Sequence, residues 1–359
     1  MKVLFVYKYL TLGGVETVLR ARLDGLERRG IEAHAWFFHD YGGRPVFAGR
    51  EDRIRVGDPT ACLAAAAAEG FDLLSTIDTE EVLPGFAEGR RLPKLIVECH
   101  SSYPESLEYL RGLPASRPAA VLVPSEHQRR VVRERVGEGI RVEVVPNPLR
   151  QAFVDEPAPF AASLPRPAIA WIGRLDDLKN WKGFLDLAGI LRRRRVDAEF
   201  WLAGKPLEAS GAKALLEHAR DVRVLDRLRW YRALPHDRVP TFLDAVRDSG
   251  GVMALTSRAE SFGMTLAEAM ARGCAVAAPD QPPFTEFVTE AQSGTLFRPG
   301  SPESAANQIQ NLLEDRELRS RCGRKARETV LARFAPEPAL KVLAETLQSL
   351  SLKAGDPAP

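Results

Sequence analysis

Pro146-Asn-Pro-Leu-Arg-Gln-Ala-Phe-Val-Asp-Glu-Pro-Ala-Pro-Phe-Ala-Ala-Ser-Leu-Pro-Arg-Pro167, followed by Ala168-Ile-Ala-Trp-Ile172, is the stretch that decides the fold. Six prolines fall within its first 22 residues. Proline removes a backbone donor and fixes φ, so this density ends any helix or central strand and reads as a linker or hinge. At Ala168 a pattern restarts that the chain has already run through once. Before the prolines, Val3–Tyr7, Ala33–Phe38, Phe71–Ile77, Lys94–Cys99, Ala119–Val123 and Val142–Val145 are short runs rich in consecutive apolar residues, as strands buried on both faces require. Between the first two, Val15, Val18, Leu19, Leu23 and Leu26 repeat at helical spacing. After the prolines come strand-like Ala168–Ile172, a helix over Trp181–Arg193, and strands at Glu199–Ala203, Val222–Leu225, Val252–Leu255 and Cys274–Ala278. Helices over Glu303–Glu314, Glu317–Arg333 and Ala339–Leu350 follow, with a disordered tail expected from Lys353.

Strands alternating with helices predict parallel sheets covered by helices. The expected architecture is α/β, with two tandem Rossmann-like, doubly wound domains and an interdomain cleft. The boundaries read as 1–150 for the first domain, 151–167 for the linker, 168–335 for the second domain, and 336–359 for a last helix and tail. In such sheets ligands sit beyond the carboxyl ends of the strands, so the loops after Tyr7, Cys99, Ile172, Ala203 and Leu255 are expected to face the cleft.

Length agrees: 359 residues are about two domains at roughly 150 each. The first 150 residues hold 21 basic and 21 acidic side chains, and the remainder 29 and 27. Neither part has the basic excess of a nucleic-acid binder, so no nucleic-acid partner is expected. Cys62, Cys99, Cys274 and Cys322 form no CxxC pair and no framework, and the histidines show no ligand spacing, so no metal site is expected. The apolar run after Lys2 is too short for a signal-peptide core, and no run approaches a membrane span. A cytoplasmic location is expected, with a peripheral position at the inner face of the membrane left open. Arginine outnumbers lysine 40 to 10, so a lysine carries more information than an arginine.

Chemistry concentrates in two segments. In Leu255-Thr-Ser-Arg-Ala-Glu-Ser-Phe-Gly-Met-Thr-Leu-Ala-Glu-Ala-Met-Ala-Arg-Gly273 a strand end, a loop and a helix follow one another. A helix starting near Thr265 leaves Glu260 in the loop before it and Glu268 in its first turn. Two carboxylates beside free backbone N–H groups suit sugar hydroxyls and an anion. Thr265-x-x-Glu268 also fits a capping box, with Glu268 bonding the Thr265 amide; taken alone, that reading is favoured. In Trp171-Ile-Gly-Arg-Leu-Asp-Asp-Leu-Lys-Asn-Trp-Lys-Gly183, Arg174, Lys179 and Lys182 lie between a strand end and a helix start, a setting suited to a diphosphate. The competing reading pairs Arg174 with Asp176 or Asp177 on the surface. Gly13 and Gly14 open the first helix and allow close approach of a ligand to the backbone. His100 follows the strand Lys94–Cys99 at its carboxyl end, where a histidine could bond substrate or take a proton.

Together and in this order, these segments resemble the retaining glycosyltransferases of family 4, which have the GT-B fold. Glu260-Ser-Phe-Gly-Met-Thr-Leu-Ala-Glu268 is similar to that family's E-x7-E motif. Gly173-Arg174 through Lys179 resembles its diphosphate segment, Gly13-Gly14-Val15-Glu16 its N-terminal glycine loop, and Val145-Pro-Asn147 the approach to its hinge. Gly294-Thr-Leu-Phe and Pro299-Gly300 resemble a late stretch of the same family. The resemblance implies that Arg174 and Lys179 bind the donor diphosphate and Glu268 the ribose hydroxyls. It implies that Glu260 and the backbone amides of Ser261, Phe262, Gly263 and Met264 hold the donor sugar. His100 would sit near sugar and acceptor, and Gly13–Gly14 would close over the diphosphate. It further implies that the last helix returns to the first domain.

Three positions depart from the pattern. Asn180 stands where glycine usually follows the lysine, so Lys182-Gly183 competes with Lys179 for the diphosphate role. Pro148 follows Asn147 in place of glycine. Gln281-Pro-Pro-Phe-Thr-Glu286 replaces a glycine pair near the sugar, which leaves the donor sugar open. The implied activity is metal-independent transfer, with retention, from a nucleoside-diphosphate sugar (a UDP-sugar before GDP-mannose) that acts as co-substrate, no cofactor being needed. The acceptor is a small molecule or glycan, with a lipid-linked one left open. A sugar-nucleotide epimerase or a non-catalytic nucleotide-sugar-binding protein on the same fold are the alternatives.

Overall fold

The computed structural model describes residues 1–87, 91–113, 117–160, 164–206 and 209–352. The expected disordered tail, residues 353–359, lies outside them. The chain divides into two units. One holds Met1–Arg150 and, from the other end, residues 333–352; the other holds Gln151–Ala332.

In the first unit, β1 (Lys2–Leu10) leads through Gly13 into α1 (Gly14–Glu27), and β2 (Glu32–Asp40) and β3 (Ile54–Val56) follow. Next come α2 (Pro59–Ala68), β4 (Leu73–Ile77), β5 (Lys94–Glu98), β6 (Ala120–Val123), α3 (Glu126–Arg133) and β7 (Val142–Val144). The caps follow local chemistry. Asp58 accepts the Ala61 amide at 2.9 Å ahead of the alanine-rich α2, and Ser125 accepts the Gln128 amide at 3.0 Å ahead of α3. The seven strands are parallel in the order β3-β2-β1-β4-β5-β6-β7. The chain therefore reverses its winding between β1 and β4.

The second unit repeats the scheme with six parallel strands in the order β10-β9-β8-β11-β12-β13. Its elements are β8 (Ala168–Ile172), α4 (Trp181–Arg193), β9 (Glu199–Ala203), α5 (Ala209–Asp221), β10 (Leu228–Tyr231), α6 (Val239–Asp248) and β11 (Val252–Ala254). They continue with α7 (Met264–Ala271), β12 (Ala275–Pro279), β13 (Thr295–Phe297), α8 (Pro302–Glu314) and α9 (Arg316–Phe334). Here the winding reverses between β8 and β11. The strand expected at Val222–Leu225 is not one: that stretch is the turn leaving α5, and β10 begins at Leu228. β10 lies at the sheet edge and is only half-buried, so it lacks the apolar run that marks the central strands. The proline-rich stretch contributes a short helix, Gln151–Val154, to this unit.

The last helix, α10 (Pro336–Ser351), belongs to the first unit. It buries Leu340, Leu343, Ala344, Leu347 and Leu350 in that unit's core, at helical spacing. α1 meets it at Gly25, where a Cβ would collide with the Leu340 side chain, so the absent side chain sets the approach of the two helices.

Candidate functional site

The reversal between β8 and β11 leaves a crevice at the carboxyl ends of those strands, the usual ligand position in a doubly wound sheet. The segment after β8 carries Arg174 and Lys179, and the segment after β11 carries Glu260. Thr256 ties the two loops together. Its Oγ1 accepts from Trp171 Nε1 at 2.9 Å and donates to the Asn180 carbonyl at 2.9 Å. Asn180 Nδ2 returns a bond to the Thr256 carbonyl at 3.0 Å, and the Arg258 amide bonds the Leu178 carbonyl at 2.8 Å. Asn180 sits in the left-handed region (φ 55) and caps α4 by accepting the Gly183 amide at 3.2 Å. Asparagine tolerates that conformation better than most residues.

This frame joins Lys179 Nζ to Glu260 Oε1 at 2.6 Å, with Ser257 Oγ donating to the same oxygen at 2.8 Å. Asp176 organises the cations. It accepts the Lys179 amide at 2.7 Å on Oδ1 and faces Arg174 Nε at 3.2 Å on Oδ2. The surface pair considered for Arg174 is thus formed, and the arginine stays half-exposed at the loop edge. Gln281 braces the loop behind Glu260 by donating to the Arg258 carbonyl at 2.9 Å. Lys182 stands apart: its Nζ lies over the Trp181 ring, 5.5 Å from the centroid.

The capping box is not formed. α7 begins at Met264, one residue earlier than expected, with Gly263 as N-cap at φ 95. Thr265 is therefore already inside the helix and cannot cap it, and the N-cap residue itself has no side chain. Glu268 falls at the start of the second turn. It is buried, and His236 Nε2 stands 3.4 Å from its Oε1. Glu268 thus faces His236, whereas Glu260 faces Lys179. The Phe262 side chain is buried against Phe287, ring centroids 5.1 Å apart. A pocket of about 420 Å³ adjoins the loop and is lined by Asn180, Ser257, Arg258, Gln281 and the start of α8.

In the first unit, Gly13 is the N-cap of α1, and no side chain caps that helix. The buried Glu16 carboxylate holds the glycine loop by accepting Thr11 N at 2.5 Å and Thr11 Oγ1 at 2.6 Å. At the end of β5, His100 Nε2 lies 3.1 Å from Glu98 Oε2. Asp78, at the end of β4, accepts the His100 amide at 2.9 Å and the Ser101 amide at 3.2 Å. Burial raises the Asp78 carboxyl above the ordinary carboxylate range, against the pull of His100. Burial also works against ionisation of Glu98. Arg22, His100 and Ser75 nevertheless hold its carboxyl down at about 2. Sequence reading passed over Arg22, Asp78, Glu98, Thr256 and His236. Among the described residues no three His, Cys, Asp or Glu side chains gather as a metal-binding group, and no helix is long and apolar enough to cross a membrane.

Comparison with known proteins reaches both units. Residues 155–329 match the family described as glycosyl transferases group 1, and residues 12–151 match glycosyltransferase family 4. The chain belongs to glycosyltransferase family 4. Its fold is GT-B, as in the crystal structure of HepE from Anabaena in complex with UDP and glucose (TM-score 0.82, 21% identity, 97% of this chain and 100% of that one). Sucrose-phosphate synthase from Thermosynechococcus elongatus shares the fold at a TM-score of 0.80 and 17% identity, over 98% of this chain and 99% of that one. Among curated relatives, alpha-D-kanosaminyltransferase of Streptomyces kanamyceticus is 25% identical over 52% of this chain and 47% of its own length. D-inositol 3-phosphate glycosyltransferase of Paenarthrobacter aurescens is 31% identical over 44% of this chain and 38% of its own. The chain thus spans about half or less of the length of these curated relatives. In this family-4 chain the E-x7-E segment has become a glycine-capped helix start with one carboxylate on each side of it.

Proposed function

We propose that the chain transfers a sugar, with retention, from a nucleoside-diphosphate donor to an acceptor hydroxyl. The single observation that carries the reading is the Lys179–Glu260 pair, held at the winding reversal beside an α7 start whose N-cap is Gly263. Arg174 and Lys179 bind the diphosphate, the former by leaving Asp176. Glu260 and the amides of Ser261 to Met264 hold the sugar, and Glu268 takes the ribose hydroxyls. Between the two lysines, the contact with Glu260 favours Lys179 over Lys182. From the first unit, Gly13 and Gly14 contribute backbone amides and His100 contacts the sugar. A UDP-sugar is the favoured donor, supported by the crystallised complexes of HepE with UDP and with UDP-glucose.

The barrier lies in breaking the bond between the anomeric carbon and the phosphate oxygen, which leaves negative charge on the diphosphate. The cations at the crevice and the helix N–H groups stabilise that charge. The acceptor hydroxyl attacks from the face the diphosphate leaves, and its proton passes to a departing phosphate oxygen. The same reading expects a reducing, cytoplasmic compartment, in keeping with four buried free thiols. The test is UDP release from UDP-glucose with EDTA present. Turnover in EDTA that falls about 10²–10³-fold in Arg174→Ala supports the assignment, by the measure of a lost oxyanion donor. Turnover unaffected by Arg174→Ala sinks it.

A further inference from the structure

Arg22 and Glu98 are the least expected residues in the first unit. Arg22 lies on the apolar stripe of α1 and Glu98 at the end of an apolar strand, and both are essentially without solvent contact. Arg22 Nη1 bonds both carboxylate oxygens of Glu98 at 2.8 Å, Ser75 Oγ donates to Oε1 at 2.7 Å, and His100 Nε2 stands at Oε2. Arg22 Nε and Nη2 have no hydrogen-bond partner, and the guanidinium lies 5.3 Å from the Phe5 ring. A buried ion pair with unspent donors is a poor device for stability, since apolar residues of similar volume commonly serve as well or better. Apart from the Ser75 hydroxyl, the neighbour that a charge here controls and an apolar pair would not is His100.

We infer that Glu98, bridged to Arg22, is a positioning residue that turns Nε2 of His100 inward and keeps its proton there. The carboxylate accepts the Nε2–H, so the neutral ring is fixed in one tautomer with Nδ1 as its other nitrogen. Asp78 fixes the backbone beneath the same ring through the His100 and Ser101 amides. Ring and main chain are therefore held from two strands, and Arg22 extends the hold to the helix that follows the glycine loop. The charged groups around the ring are Glu98 on β5, Asp78 after β4 and Arg22 on α1; the Cys99 thiol and the Tyr109 phenol nearby are both pushed up by burial and stay neutral. The role in turnover rests on the reading of His100 given above. The hold on the ring does not.

The test is 15N NMR of the His100 imidazole in the full chain, assigned by its loss in His100→Gln and read above about pH 8, where a histidine ring is neutral. In the wild type the neutral ring carries its proton on Nε2. In Glu98→Leu, which leaves Nε2 without its acceptor, the neutral ring takes up the mixture of tautomers of an unheld imidazole. Should that variant fail to fold, Arg22→Met combined with Glu98→Leu replaces the pair by apolar groups, and the same loss of a single tautomer is expected. An unchanged tautomer overturns the inference. A second arm follows UDP release from UDP-glucose. Glu98→Gln slows it at least tenfold, and the double variant with His100→Gln is no slower than His100→Gln alone, as residues acting as one unit require. Additive losses overturn the inference, whereas release indifferent to His100→Gln retires the reading of His100 and leaves the NMR result to judge Glu98.

Discussion

Replacing Lys179 by alanine separates a diphosphate-binding lysine from one that only serves the loop. Its Nζ lies 2.6 Å from Glu260 Oε1, with the two side chains 22% and 12% exposed. That places the pair between the surface case, about 0–1 kcal/mol, and the fully buried case, where removing one partner costs about 3–5 kcal/mol. A loss of about 1–3 kcal/mol in unfolding free energy is expected from the ion pair alone. The binding term is separate. A charge-assisted bond to a phosphate oxygen contributes about 1.5–3 kcal/mol, so UDP should bind about 10- to 100-fold more weakly to Lys179→Ala. Glu260→Gln discriminates further. It leaves the cation in place and releases it from its carboxylate, so UDP should bind more tightly, by up to about tenfold, although the loop loses the same ion pair. Isothermal titration calorimetry of UDP against wild type and both variants reads this directly. Equal affinity of wild type and Lys179→Ala for UDP would refute the reasoning and reduce the pair to a loop clasp.

Three further outcomes follow from the packing and electrostatics. Leu340→Ala empties a fully buried site between α10 and α1 and should lower unfolding stability by about 2–5 kcal/mol in urea titration. Asn180→Gly should cost about 1 kcal/mol, because glycine keeps the left-handed backbone but loses the cap and the bond to the Thr256 carbonyl, and Asn180→Ala about 2–3 kcal/mol, since it adds the strain of that conformation; differential scanning calorimetry ranks the two. Because Glu98 is held at about 2 against an ordinary 4.5, the folded chain binds fewer protons than the unfolded one between those values. Its contribution is complete above pH 4.5 and is lost as pH falls toward 2, so urea midpoints should drop through that window. The drop should be shallower in the Arg22→Met, Glu98→Leu variant.

The parts legible in the sequence were those written in local spacing. The strand-loop-helix rhythm marks the central strands because they are buried on both faces and stay apolar without interruption. The edge strand β10, half-exposed, carries no such mark, and Val222–Leu225 was the more apolar decoy. Arg174, Lys179, Glu260 and Glu268 were visible because each sits a few residues from a strand end or a helix start. Thr256 was not, since its work is to hold a loop 76 residues away. The cap of α7 was misread because Gly263 caps through its backbone conformation, which leaves no side-chain signature, while Thr265 supplied a false one. Arg22 and Glu98, also 76 residues apart, did leave a trace: a cation on the apolar stripe of α1 and an anion ending an apolar strand. Buried charges of opposite sign in two neighbouring elements ask for each other. His236 sits in a loop with no periodicity to expose it, and only the fold brings it to Glu268.

The most direct measurement is a thermal-shift titration with UDP, GDP, ADP and NAD, with and without magnesium, on wild type and Glu268→Ala. A ligand at 100 times its Kd adds about 2.7 kcal/mol, enough to move the transition by a few degrees. The account predicts that UDP stabilises the wild type without metal, that NAD does not, and that Glu268→Ala loses most of the UDP shift because the ribose hydroxyls lose their acceptor. A UDP shift equal in wild type and Glu268→Ala, or none from any nucleoside diphosphate, would contradict it.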